Sequence, residues 1–172
     1  MHIFIFAQIL GLIAWGLLVY SYYKKDINEI LSYQIIGSIF EISHYFLLGA
    51  YSGLIVVILE LLRDFSYYKT KYDKEIFILL LPVYFFIGYF SCKHMMDILP
   101  VAASCIDGYA LTNKKKIAII GSIINNSLWL IYDLYCGSII GVIAEIIFII
   151  SNIYIIYSDH NKIKNKKIVN SI

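Results

Sequence analysis

Residues 35–59, IIGSIFEISHYFLLGAYSGLIVVIL, return without a gap as residues 119–143, IIGSIINNSLWLIYDLYCGSIIGVI. Matches at isoleucine carry little weight in an isoleucine-rich chain, but two glycines, two serines and a tyrosine also keep one register. These are Gly37, Ser38, Ser43, Tyr51 and Gly53, which match Gly121, Ser122, Ser127, Tyr135 and Gly137. An internal repeat of this kind indicates an architecture built from two copies of one unit.

Composition indicates whether the chain folds in water or in a membrane. Its 172 residues are 60% hydrophobic and 15% charged, with a mean hydropathy of +0.77, whereas soluble domains are about 45–50% apolar and about 25% charged. The apolar residues are too numerous for a core alone, so we predict a multi-pass membrane protein in contact with the lipid bilayer. The cysteines, Cys92, Cys105 and Cys136, form no CxxC pair, and we expect no cofactor, no metal site and no nucleic-acid partner.

Apolar runs divide the chain into seven predicted transmembrane helices. The run 27–62 would form a helix about 54 Å long, against a hydrocarbon core of about 30 Å, so it must turn back, at 49–53. The run 117–157 divides in the same way at 135–138. The predicted helices are 3–22, 27–48, 53–68, 76–91, 95–111 and the two halves of 117–157.

An odd number of helices determines how the two repeats are oriented in the membrane. We predict an all-α membrane protein with seven transmembrane helices arranged 3+1+3, because a single linking helix lets two three-helix repeats enter the bilayer in the same direction. Residues 1–68 form the first repeat, 69–94 the linker helix with its loops, 95–157 the second repeat and 158–172 a basic cytoplasmic tail.

Lysine and arginine placement predicts the orientation, because cytoplasmic loops carry an excess of positive charge. With the N-terminus outside and the C-terminus inside, Lys93 is the one basic residue outside. The inside segments hold Lys24, Lys25, Arg63, Lys69, Lys71, Lys74, Lys114, Lys115, Lys116, Lys162, Lys164, Lys166 and Lys167.

Polar side chains near the middle of the predicted spans mark a candidate site. An ionisable residue at a helix centre costs about 2.5–3.5 kcal/mol on insertion scales, so it generally faces a partner or a cavity. Polar residues recur at three- and four-residue spacing in the second, sixth and seventh helices. We predict a solute site between the two repeats, lined by Glu41, His44, Asn125, Asn126, Trp129 and Glu145.

Structural roles remain open for the same residues. Asn125 and Asn126 are also suited to hydrogen bonds between helices, and Glu41 with His44 to an interhelical pair. Glu60 and Arg63 are spaced to pair along one helix and to anchor it near the inner surface.

Two further carboxylates lie near the outer ends of the predicted spans. Water is close at that depth, so Asp97 and Asp133 are expected to be helix-end residues or to gate an outer mouth.

Four motifs together resemble the YgjV-type bacterial inner-membrane proteins. They are Ala7-Gln8-x-x-Gly11; His44-Tyr45-Phe46-Leu47-Leu48-Gly49-Ala50-Tyr51; Asp97-Ile98-Leu99-Pro100-Val101; and Trp129-Leu130-Ile131-Tyr132-Asp133 followed by Gly137-Ser138-Ile139-x-Gly141-x-x-x-Glu145. That family is similar in plan to the SWEET and PQ-loop sugar and amino-acid carriers. Carriers of the SWEET type have a proline in the first helix of each repeat; here Pro100 has Gly11 as its counterpart.

The resemblance implies a bacterial plasma membrane location, and the polar stripes suggest a function. The leading hypothesis is a transporter of a small sugar- or amino-acid-like solute. The alternative is a non-transporting interaction protein whose polar stripes bind a partner helix or a second copy of the chain. An intramembrane hydrolase built on Glu41 and His44 has no supporting motif, so we expect the chain not to be an enzyme.

Overall fold

The computed structural model describes residues 2–21, 23–24, 26–69, 73–91 and 93–169, and within them 92% helix and no strand. Lys25, Lys71 and Cys92 lie outside the described residues. The prediction of seven helices is confirmed. The helices are α1 (His2–Ser21), α2 (Ile27–Leu48), α3 (Tyr51–Lys69), α4 (Asp73–Ser91), α5 (Ile98–Leu111), α6 (Lys115–Cys136) and α7 (Ile139–Val169), with a short 3-10 helix (Met95–Asp97) before α5.

Two glycine turns lie where the sequence predicts the long apolar runs to reverse. Gly49 ends α2 with φ 72° and Gly137 ends α6 with φ 78°, a left-handed conformation that is costly for residues with a Cβ. Leu48 aligns with Tyr132 in the repeat, yet α6 continues for one more helical turn, to Cys136. Gly53 therefore belongs to α3 rather than to the turn.

Six helices pack side by side in a closed ring. Around it, α1 contacts α2, α2 contacts α3, α3 contacts α5, α5 contacts α6, α6 contacts α7 and α7 returns to α1, while α4 packs against α3 and α5 from outside. We call the end of the ring that carries Gly49 and Gly137 the turn end. The opposite end, with Lys24 and Asn113, is the loop end.

Glycines bring neighbouring helices close together. A Cβ on Gly37 of α2 would lie 3.1 Å from the Leu18 side chain and 3.2 Å from the Ala14 carbonyl of α1. A Cβ on Gly121 of α6 would collide with the side chain of Ala110 in α5. Small residues at such contacts let backbones approach, which is how helices associate in lipid.

The outer surface of the bundle is apolar. Leu79, Phe85 and Tyr89 of α4 are 74%, 71% and 82% exposed, a pattern that suits lipid rather than water. Three described helices are long and apolar enough to cross a membrane: α1, α6 and the part Ile139–Ser158 of α7. Helix α7 then runs on to Val169, so most of the predicted tail 158–172 is helical.

Candidate functional site

A cavity of about 250 Å³ lies inside the ring and extends from the middle of the bundle towards the loop end. Each of the six ring helices contributes to its wall, and α4 does not. The polar lining residues are Gln34, Ser38, Glu41, Glu60, Asp64, Asp107, Ser122, Asn125, Asn126 and Glu145; the aromatic ones are Trp15, Phe65, Trp129 and Phe148.

Five of the six residues chosen from the sequence meet at this cavity. They come from three helices: Glu41 from α2, Asn125, Asn126 and Trp129 from α6, and Glu145 from α7. Their common feature in the sequence was a polar or aromatic side chain at mid-depth in a predicted span. That signal was sufficient because a polar group at this depth has to turn away from lipid.

Two lining side chains carry buried acceptors without a donor among the described residues. Glu145 is 3% exposed, and neither its Oε2 nor the Oδ1 of Asn125 has a hydrogen-bond partner there. The Asn125 amide instead donates from Nδ2 to Oδ1 of the adjacent Asn126, at 3.1 Å. A buried acceptor left without a donor costs about 1–3 kcal/mol, so these two atoms are suited to a bound donor.

His44 lies outside the cavity wall. It is 1% exposed, with Nδ1 2.7 Å from the Ala7 carbonyl of α1 and Nε2 2.8 Å from the Ser138 hydroxyl at the start of α7. Because the carbonyl can only accept, Nδ1 is the donor of that bond. Both ring nitrogens are thus engaged with other helices, and the Glu41–His44 pair considered from the sequence does not form.

A buried polar layer closes the ring towards the turn end. The Tyr45 hydroxyl donates to Oδ1 of Asp133 at 2.9 Å, and the Tyr45 ring stacks on Trp129 with 5.6 Å between centroids. Beside it, the Tyr132 hydroxyl accepts a hydrogen bond from the Gly53 amide at 3.1 Å. Every ring of this layer is 5% exposed or less.

Asp133 requires a correction of the sequence-based expectation. We expected it near water at the outer end of a span, but it is 0% exposed. The cause is packing between helices, because Asp133 accepts the hydrogen bond from Tyr45 of α2 and lies against the start of α7. A side chain at Gly141 would collide with its carboxylate and with the Ser138 hydroxyl.

A network of charged side chains lies near the loop end of the cavity. The sequence predicted only that Glu60 and Arg63 are spaced to pair along one helix. Arg63 is 2% exposed; its Nη2 donates to Oδ2 of Asp107 in α5 at 2.9 Å and its Nε to Oδ1 of Asp64 at 2.8 Å. The Glu60 carboxylate accepts from the Ser104 hydroxyl of α5. Arg63 therefore connects α3 to α5, and Asp107 had no signal in the sequence because its partner is on another helix.

A family model described as Imp-YgjV, bacterial inner membrane protein, matches residues 5–163. The chain belongs to this family. It is therefore a bacterial inner membrane protein. No curated protein and no solved structure gives a significant match.

In this family member, the motif Ala7-Gln8-x-x-Gly11 holds the turn end together. The Ala7 carbonyl receives the His44 bond, and a Cβ on Gly11 would lie 3.0 Å from Nδ1 of the same ring. The Gln8 amide donates to the Gly137 carbonyl at 3.0 Å and accepts from the Ile140 amide at 3.1 Å. The Gln8 side chain of α1 thus provides hydrogen-bond partners for backbone groups at the end of α6 and the start of α7, where helical partners are lacking.

Proposed function

We propose that this inner membrane protein is a transporter of a small solute, of the size of a sugar or an amino acid. The observation that carries the proposal is the cavity inside the ring, lined by the converging polar groups of Glu41, Asn125, Asn126 and Glu145. Polar side chains that converge near mid-membrane between helices are typical of a transporter's solute site. His44 is assigned instead to holding α2 against α1 and α7.

The transporter would consist of two parallel units, 1–68 and 95–157, joined by α4. Helix neighbours support this division, since the contacts α1–α2, α2–α3 and α3–α5 correspond to α5–α6, α6–α7 and α7–α1.

In an alternating-access transporter the solute site opens to one side of the membrane at a time. The buried layer at the turn end would close the site on its side. With that layer closed, solute would reach the cavity from the loop end, which the lysine distribution assigns to the cytoplasm. Opening the other side would separate Tyr45 of one unit from Asp133 and Trp129 of the other. A rigid-body movement between the repeats is the usual way to achieve this.

The interaction-protein alternative requires polar stripes on the outer surface of the bundle. Glu41, Asn125 and Glu145 instead face a shared internal cavity, and the outer surface of the described residues carries large apolar side chains. This placement favours solute transport over the binding of a partner helix.

Counterflow in proteoliposomes tests the proposal. Vesicles preloaded with a mixture of sugars, amino acids and amines would be offered each labelled compound outside, with protein-free vesicles for background. We expect accumulation of one chemical class, reduced at least tenfold by Glu145→Gln and unchanged by Glu75→Gln, the same charge loss at an exposed position of α4. Equal flux through both variants would remove Glu145 from the site, and no accumulation of any class would contradict transport.

A further inference from the structure

We infer that the solute is a small organic cation, in which an ammonium group contacts Glu41 and Glu145 and an apolar part contacts the aromatic wall. The inference rests on the proposed transport function and narrows its solute class. It combines the charge of the cavity, its hydrogen-bonding character and its aromatic side chains.

Charge is the first line of support. Among the residues that the structure describes, the cavity wall contains five carboxylates and no lysine, arginine or histidine. Near the loop end, Arg63 binds Asp64 and Asp107, and Ser104 donates to Glu60. Glu41 and Glu145, at mid-bundle, have no cationic partner among the described residues. A carboxylate buried at this depth is stabilised by an opposite charge, which a cationic solute would supply.

Hydrogen-bonding character is the second line of support. Oε2 of Glu145 and Oδ1 of Asn125, the buried wall atoms without a hydrogen-bond partner among the described residues, are both acceptors. An ammonium group has donors only, so it complements them, whereas a carboxylate on the solute would add acceptors and like charge.

Aromatic side chains line the same cavity as these carboxylates. Trp15 of α1 and Phe148 of α7 pack together with 5.5 Å between ring centroids, and Trp129 lies on the turn-end side of the cavity against Tyr45. Tryptophan faces attract cations, most strongly where water is excluded. An ammonium compound with methyl or methylene groups would use both the rings and the carboxylates.

Intrinsic fluorescence provides a direct binding assay, because the chain has two tryptophans and both Trp15 and Trp129 line the cavity. The purified full chain would be titrated with ethylammonium, choline and putrescine. Controls are 3,3-dimethylbutan-1-ol, a neutral analogue of choline, together with glucose and glutamate. We expect a saturable fluorescence change with at least one ammonium compound and none with the controls.

Matched variants assign the binding to the two carboxylates. Glu41→Gln and Glu145→Gln should each weaken ammonium binding about 10- to 100-fold, the usual effect of losing one charged hydrogen bond, whereas Glu75→Gln should not change it. Gel filtration reports whether each variant folds, and either of the two carboxylate variants is sufficient for the test. Ammonium binding that neither variant weakens would overturn the assignment.

The remaining outcomes separate this inference from the transport proposal. If glucose or glutamate binds and accumulates in the counterflow assay while no ammonium compound does, the solute class is wrong and transport stands. If an ammonium compound binds but does not cross the membrane, the assignment of the site stands and the transport proposal fails. If no compound of any charge binds or crosses, both proposals fail.

Discussion

At the scale of single residues, partners on other helices determine what each polar side chain does. His44 and Glu41 share a face of α2, yet His44 bonds to Ala7 and Ser138 while Glu41 lines the cavity. At about 3.6 residues per turn and about 1.5 Å per residue, the two positions still differ by about 60° around the helix and about 4.5 Å along it, which is enough to point their side chains towards different neighbours. Arg63 provides the clearest energetic case, because it is almost fully buried between carboxylates.

Replacing Arg63 should destabilise the protein strongly. We expect Arg63→Met to cost about 3 kcal/mol, near the low end of the usual cost of removing one partner of a buried ion pair, since Asp107, whose side chain is 16% exposed, would lose its cation. The loss should be seen as a lower midpoint of thermal unfolding in detergent.

Two further variants check the cause of that loss. Lys74→Met removes the same charge from an exposed site on α4 and should leave the midpoint unchanged. Adding Asp107→Asn to Arg63→Met should restore part of the stability. A double variant no better than Arg63→Met alone would show that the loss does not arise from the unpaired Asp107 carboxylate.

At the scale of helices, small residues determine which elements approach closely. Gly121 permits the α5–α6 contact and Gly37 the α1–α2 contact, and these two glycines match in the sequence comparison of 35–59 with 119–143. In lipid, close van der Waals packing has to provide much of the association that water would otherwise drive. The spacing of small residues therefore matters more here than the hydrophobic pattern.

Gly121→Ala should separate α5 from α6. Its Cβ would collide with Ala110, and overpacking of this kind costs about 1–3 kcal/mol. Gly16→Ala is the matched control, because no described atom outside the local backbone of α1 lies within 4 Å of its added Cβ, so the helix propensity of alanine should leave stability equal or slightly higher. Thermal unfolding in detergent compares the two; equal loss in both would contradict close packing at Gly121.

At the scale of the whole molecule, the orientation in the membrane determines which side the cavity opens to. Lys74 and Lys116 are exposed near the loop end, and Lys93 is exposed near the turn end. The proposal that the loop end is cytoplasmic follows from the positive charge on its loops.

Labelling of single cysteines tests this orientation. In a background without native cysteines, Lys93→Cys should react with an impermeant maleimide in intact cells, whereas Lys74→Cys and Lys116→Cys should react only after permeabilisation. Opposite labelling of Lys74→Cys and Lys116→Cys would rule out two units inserted in parallel. If all three variants show the reverse pattern, the helix arrangement stands and the orientation is inverted.

Helix number and turn positions followed from the sequence alone, because both have one-dimensional causes. An apolar run longer than the bilayer is thick has to reverse, and Gly49 and Gly137 were the residues able to adopt the left-handed turn. The prediction that Glu41, Asn125 and Glu145 lie near the middle of their spans rests on the same kind of argument, since helical rise converts position into depth.

Helix contacts and polar partners were decided by the tertiary structure. In lipid, the outward face and the packed face of a helix are both apolar, so hydrophobic periodicity does not identify the face that meets a neighbour. For this reason the sequence placed Asp133 near water and His44 in the site, whereas contacts with α2 and α7 bury Asp133 and Ser138 engages His44. The link between Arg63 and Asp107 likewise depends on the contact of α3 with α5, which no spacing along the chain encodes.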